Sequence, residues 1–441
     1  MGILSIPFEI VGSSLQFYRC FFYFLNGNAP NESTCPYFRS SPSDTAETKL
    51  FNQHARIHLY TFATAFWLYD KPHYRKGSYR DDLVDNFRNV AIPGTGLPLH
   101  LIVMNKYVAY WFSLVINPII CLIAAVHLSL IKKEIPLSDL SKEYAIRLLT
   151  PNDWFTYWRL NCRVAGLHAL LNNNPKGYTM ENKWTFLEDG DKLGVPVSPF
   201  LKTSGIVVKH RNEEGGLGIH FYKNATVGGD WIIQERIENS NWVSSVLPKN
   251  APLSTFRVIT QSRASIDLTK APQLEDITAL SCVFRAGREG AATDHDSILF
   301  NIDPKTGILQ KGTTNAHWYR LGPHEILPGQ CPWRSYHTYA THPDGEIPVT
   351  GKTVPDIKGM LKLVEDSHLK LCPDVPFVGW DVVLSKDEQL PVCLLEVNLS
   401  CNFFRGTFDK QVYLDFIDDA IEVLHQQREK AEKEGTKFKQ A

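Results

Sequence analysis

The longest apolar stretch of the chain runs from Val108 to Ile131, with no ionised side chain between Lys106 and Lys132. At about 24 residues and about 1.5 Å per helical residue it matches the roughly 30 Å hydrocarbon core of a bilayer, and it predicts a transmembrane helix over residues 106–133. Asn117-Pro118 near its middle predicts a kink that leaves one carbonyl to be satisfied. A buried core helix is the competing reading. A second apolar segment, Ile3 to Leu25, is interrupted by Pro7, Glu9 and Arg19, which suits a helix lying in a membrane interface better than a span. No basic stretch precedes it, so it does not read as a cleavable signal, and Ile6 stands where a myristoylated chain carries Ser or Thr.

Residues 1–105 therefore read as a membrane-proximal region, in which aromatic clusters between Tyr60 and Tyr69 adjoin charged stretches between Lys76 and Arg88. They carry no motif to which chemistry attaches. Lys132, Lys133 and Glu134 mark a return to water, and residues 134–147, with Pro136 and Ser138 to Ser141, read as a linker and helix start. From 148 to 435 the pattern becomes that of a soluble mixed domain. Val207-Val208, Trp231 to Ile233, Arg257 to Thr260, Ser297 to Ile302 and Val392 to Val397 predict strands bounded by Gly, Pro, Asn or Asp. Val354 to Leu371 and Phe408 to Lys433 show helical spacing, the latter with Tyr413, Phe416, Ile417, Ala420, Ile421 and Leu424 on one face. An α+β domain follows.

Composition narrows the partners. The 441 residues carry 46 basic and 47 acidic side chains without a long run of either sign, which argues against a nucleic-acid partner. The nine cysteines form no CxxC pair and their odd number leaves one unpaired, which favours a reducing compartment. Cys20 and Cys35 could pair if the N-terminal region faces an oxidising lumen. Cys393, inside an apolar run, reads as core.

Chemistry concentrates in two places. Phe377 to Leu384 and Pro391 to Asn398 predict a hairpin, and period-two alternation puts Glu396 and Asn398 on one face. A symmetrical fold-back places Asp381 level with Leu394 on that same face, subject to register. Carboxylates in apolar strands are costly unless their charge is compensated, and three hard oxygen donors suit Mg²⁺. A solvated strand edge is the plain alternative. Upstream, Gly205 to Lys209 leads into Gly215, Gly216 and Gly218, a strand that delivers a lysine to a glycine loop able to approach phosphate. It is no Walker loop, and on these residues alone an ordinary hairpin turn is the stronger reading.

In order along residues 148–430 come Tyr178 to Trp184 with Gly194 to Pro199, then Lys209 and its glycines, Ile232 to Ile237, Thr255 to Thr260, Gly379-Trp380-Asp381 and Glu396-Val397-Asn398. This succession resembles the ATP-grasp superfamily. With His342-Pro343 and Gly379-Trp380-Asp381 it is most similar to the sugar-transfer-associated group related to α-L-glutamate ligases. The resemblance implies an ATP-grasp fold over 148–435, with two α+β lobes holding ATP between antiparallel sheets, preceded by the N-terminal membrane-associated helical region. It implies ATP and Mg²⁺ as cofactors. Lys183 and Lys209 would contact the phosphates, Gly215, Gly216 and Gly218 would close over them, and Gln234, Glu235, Arg236 and Ile237 would hold adenine through backbone groups. Arg257 and Arg285 would face the transferred phosphate, and Asp381, Glu396 and Asn398 would be the metal ligands.

The implied reaction is ligation, in which a carboxylate takes the γ-phosphate and the acylphosphate is captured by an amine or another nucleophile. The carboxylate would be a small molecule or glycan-linked. Departures matter: His210 follows the phosphate lysine where proline is frequent, and Thr293 to Ser297 lacks the glycine pair of many relatives. A non-catalytic nucleotide-binding module and a phosphotransferase acting on a sugar or lipid hydroxyl therefore stay open. His342 reads as shaping a loop rather than acting as a base. An ATP-consuming domain after the span implies that residues 132–441 face the cytosol, and the tail 436–441 agrees, since Lys437-Phe-Lys439-Gln-Ala441 has the KxKxx form of endoplasmic-reticulum retrieval signals read there. Asn31-Glu32-Ser33 is a sequon that would be glycosylated only if lumenal.

Overall fold

The computed structural model describes residues 3–88, 99–152, 154–213, 217–314, 338–399 and 408–438. The chain is a mixed α+β structure built on antiparallel sheets. Its strands are β1 (Gly205–Lys209), β2 (Ile219–Lys223), β3 (Thr255–Ser262), β4 (Ile277–Ala286), β5 (Ile298–Ile302) and β6 (Leu309–Thr314), followed by β7 (Thr338–Tyr339), β8 (Thr341–His342), β9 (Ile347–Pro348), β10 (Phe377–Leu384) and β11 (Val392–Asn398). Seven of them form one sheet in the order β11-β10-β3-β4-β5-β6-β7, while β1–β2 and β8–β9 are separate hairpins.

One face of the large sheet is apolar. Phe256, Phe284, Phe300, Val258, Val382 and Trp380 are all fully buried there, in the core that also takes Met360 and Val364 from helix Ile357–Leu371. Each such side chain gains about 1.5–3 kcal/mol on burial, so a one-residue slip that exposed several together is strongly opposed. A polar chain pins the same layer. The Trp380 indole donates to Thr260 Oγ1 at 2.8 Å, and that hydroxyl lies 2.7 Å from His368 Nδ1. His368 Nε2 lies 3.1 Å from the Val375 carbonyl, so the ring donates there and accepts from Thr260. Burial pushes the His368 imidazole down to about 4, which keeps it neutral and suited to this bridge.

The helices form a second layer. Helix Ala46–Leu68 starts on Thr45, whose side chain accepts from the Thr48 amide, and it is buried almost throughout from His54 to Phe66. Against it pack helices Ile6–Leu25, Trp154–Leu171 and Lys410–Lys433. The last buries the expected stripe of Tyr413, Phe416, Ile417, Ala420, Ile421 and Leu424, and its Asp418 pairs with the buried Arg56. Residues near both ends of the chain thus share one apolar core. Residues 134–147, expected as a linker, include most of helix Leu140–Leu149, because Leu140, Tyr144 and Leu148 are buried at its packed face.

Two smaller expectations change. In place of the strand expected over Trp231 to Ile233 there are isolated bridges from Trp231 to Asn224 and from Gln234 to Phe200, and Pro199 in the opposing segment has no N–H to extend the latter into a ladder. Helices begin at Ile357 and Lys410, where the Asp356 and Asp409 carboxylates cap Gly359 and Val412 amides. Cys20 and Cys35 are free thiols, both buried, and Cys35 Sγ donates to the Tyr37 carbonyl at 3.2 Å. Cys393 is core. The apolar run forms one 26-residue helix, Lys106–Ile131, long and apolar enough to cross a membrane. It contains wider π turns at Phe112–Ile116 and His127–Ile131, the first immediately before Asn117-Pro118.

Candidate functional site

The face of the large sheet opposite Trp380 carries charge. β10 pairs with β3 so that Asp381 lies opposite Arg257, and β3 pairs with β4 so that Thr255 lies opposite Arg285. On the other side β10 pairs with β11, and there Asp381 is opposite Glu396, not level with Leu394. The register breaks between Asp381 and Val382, whose partner is Leu394, so Leu395 is the extra residue of a bulge. Leu394 thereby turns into the core while Glu396 joins Asp381. Asn398 follows two residues on, opposite Gly379.

These side chains interlock. Arg257 grips Asp381 through two parallel bonds, Nε to Oδ1 at 2.5 Å and Nη2 to Oδ2 at 3.0 Å. Arg285 reaches the same carboxylate from Nη1 at 3.4 Å and Asp294 from Nη2 at 3.1 Å. Asp294 also accepts from the Thr255 amide at 3.2 Å and hydroxyl at 2.5 Å. Burial pushes the Asp381 carboxyl upward, but the Arg257 and Arg285 guanidiniums outweigh it and hold the group below the usual range. For Asp294 burial prevails over Arg285, and its carboxyl is raised.

Lys183 begins helix Lys183–Lys192, where Asn182 caps the Trp184 and Thr185 amides, and its Nζ lies 2.7 Å from Glu396 Oε2. Lys183, Arg285, Asp381 and Glu396 line one side of a cleft of about 1120 Å³. Gln234, Glu235, Arg236 and Ile237 line it as well. The Glu235 amide bonds to Pro199 and the Gln234 side chain to Ser198, which fixes this extended segment. Among the described residues, the amides and carbonyls of Arg236 and Ile237 have no backbone partner, so a donor and an acceptor stand available side by side.

Other expected residues lie elsewhere. Lys209 is exposed at the end of β1, and Gly218 closes the β1–β2 hairpin at φ +62°, where a Cβ would meet Glu213 and His210. Neither lines the cleft. Gly215 and Gly216 lie outside the described residues. Arg257 and Asn398 are not among the residues that line the cleft, though Arg257 holds Asp381, which does. His342 accepts from the Asp344 amide at 3.1 Å while Asp344 holds Arg288 in a bidentate pair, in keeping with a loop-shaping role. Sequence reasoning gave no role to Asp294 or Thr255. The signal was present in the departure noted at Thr293 to Ser297, where a carboxylate stands within the altered segment.

Among the described residues no group of three His, Cys, Asp or Glu side chains forms a ready metal cage. The donors for a cation are two adjacent carboxylates, Asp381 and Glu396, and the Asn398 amide. Among the described residues that amide has a buried Nδ2 with no hydrogen-bond partner, the end of the group that an amide flip would exchange for an oxygen. A hard divalent ion that keeps several waters fits this set. Lys183, Arg257 and Arg285 now neutralise the carboxylates, and an arriving polyphosphate would compete for those cations. Comparison with known protein families and with characterised proteins finds no match to either.

Proposed function

We propose that the chain is a membrane-associated ATP-grasp enzyme that uses ATP and Mg²⁺ to join a carboxylate to an amine or other nucleophile through an acylphosphate. The observation that carries this reading is the cleft in which Lys183, Arg285, Asp381 and Glu396 converge opposite the Gln234–Ile237 backbone edge. The free donor and acceptor of Arg236 and Ile237 suit the amino and ring-nitrogen edge of adenine. Lys183 and Arg285 then lie where the phosphates would extend, and the β1–β2 hairpin with Lys209 supplies the smaller lobe of the fold.

Phosphoryl transfer asks little covalent work of a protein; what it needs is cations aimed at developing phosphoryl charge and two reactants held in line. Arg285 orients the transferred group, Arg257 fixes Asp381, and Lys183 turns from Glu396 to phosphate when nucleotide binds. Asp381, Glu396 and Asn398 would hold Mg²⁺, which supplies Lewis-acid charge to the phosphate oxygens when bound. No Ser-His-Asp arrangement is required.

The test is ADP release by the full chain, with ATP and Mg²⁺, across a panel of carboxylic acids and amines, followed by mass analysis of the products. An amide or ester linkage supports ligation. A stable phosphorylated hydroxyl selects phosphotransfer, and tight ATP binding with no release under any condition selects a nucleotide-binding module.

A further inference from the structure

The two apolar helices expose stripes that the soluble body does not cover. On helix Ile6–Leu25 and the turn before it, Leu4, Phe8, Val11, Leu15 and Phe22 are 47–89% exposed. Their spacing puts them on one side of the helix, away from the buried Phe17, Phe21 and Phe24. On helix Lys106–Ile131 the exposed residues are Tyr107, Val108, Trp111, Val115, Ile119, Ile123, Leu130 and Ile131. The two helices touch where the Tyr18 hydroxyl donates to the Leu114 carbonyl at 2.6 Å. Solvent-exposed apolar surface of this extent marks an interaction site.

Both helices are held to the soluble body along their whole length. The first is tied near its start by Glu9 to Ser141 and by Ser14 to Tyr144, and near its end by Phe24 against Tyr60. The second is tied at Lys106 to Asp70, at Tyr110 stacked on Phe66, and at Cys121 and Ala125, which join the core of Phe17, Tyr144 and Tyr413. A 26-residue helix is roughly 39 Å long. If it crossed a bilayer its two ends would lie on opposite sides, whereas here both ends meet one body.

We infer that these helices form a single membrane-binding face that lies in the plane of one leaflet, with the bilayer as its partner. The inference rests on the membrane association proposed above and replaces the crossing helix with a lengthwise contact. Charge agrees with a lipid partner: the one ionised side chain on the stripes is the exposed Arg19, between Leu15 and Phe22, whose long stem lets its cation reach the headgroups, and the exposed Lys132 and Lys133 beside Glu134 at one end suit anionic headgroups. Tyr107 and Trp111, apolar rings with one polar group each, suit the headgroup boundary at the other end.

The test is topology. The full chain, with an epitope tag at each end, is translated with sealed microsomal vesicles, floated, and treated with external protease. Flotation with both tags digested and Asn31 unglycosylated is the expected result. Flotation with one tag protected overturns the in-plane inference while keeping membrane association; absence of flotation overturns both. Phe8→Ser, Trp111→Ser and Ile119→Ser together, all at exposed positions, should lower flotation at least tenfold with an unchanged thermal unfolding midpoint. Undiminished flotation of that variant, or a soluble dimer of the parent that masks the stripes, contradicts the inference.

Discussion

Asp381→Asn and Glu396→Gln make opposite demands on the fold, although both remove one carboxylate from adjacent strands. Asp381 is 4% exposed, is gripped bidentately by Arg257 and is shared with Arg285. Neutralising one partner of such a buried pair costs about 3–5 kcal/mol, a large share of the roughly 5–15 kcal/mol by which domains are stable. Glu396 has a 28% exposed side chain, and its Lys183 partner is 66% exposed. That pair is worth less than about 1 kcal/mol. Urea unfolding of the full chain should therefore show a large loss for Asp381→Asn and almost none for Glu396→Gln, while ADP release falls at least a hundredfold in the latter. Asp381→Asn combined with Arg257→Gln should regain much of the stability. Equal stability of the two single variants, or full turnover by Glu396→Gln at saturating Mg²⁺, would refute this division between a buried and an exposed candidate ligand.

Three further outcomes follow from the same contacts. His368 has its folded pKa lowered from 6.5 to about 4 by burial, so the unfolded chain binds more protons between those values. Its contribution is full above pH 6.5 and is lost as pH falls toward 4, about 3 kcal/mol in all, measurable as urea midpoints across that window. Trp380→Phe removes the indole bond to Thr260 and should cost about 1 kcal/mol by urea unfolding with ATP binding retained. At Gly177 an added Cβ would lie 2.1 Å from Asp374 Oδ1 and 2.9 Å from Cys372 Cβ, so Gly177→Ala should cost about 1–3 kcal/mol by thermal unfolding.

Much of the site was legible because strand alternation is local. Period two put Glu396 and Asn398 on one face, and the buried stripe of the C-terminal helix followed from 3.6-residue spacing. The bulge at Leu395 was not legible, since an inserted residue leaves no mark until its partner strand is known. Arg257 and Arg285 meet Asp381 only because β10 pairs with β3 and β3 with β4, which brings together residues 124 and 96 positions apart. The same limit hid Asp294 beneath Thr255. It also hid the return of helix Lys410–Lys433 to residues 46–68, which makes the N-terminal region part of one shared core with the C-terminal helix.

That shared core dictates the form of the most direct test, which uses the full chain and no truncated fragment. Mg²⁺-dependent ATP binding and substrate-stimulated ADP release are measured for the parent, Glu396→Gln and Arg285→Lys. Release by the parent with a particular carboxylate and nucleophile is expected, with loss of that release in both variants and the fold retained. ATP turnover unaffected by either substitution, or a parent that fails to bind ATP with Mg²⁺ present, would contradict that expectation.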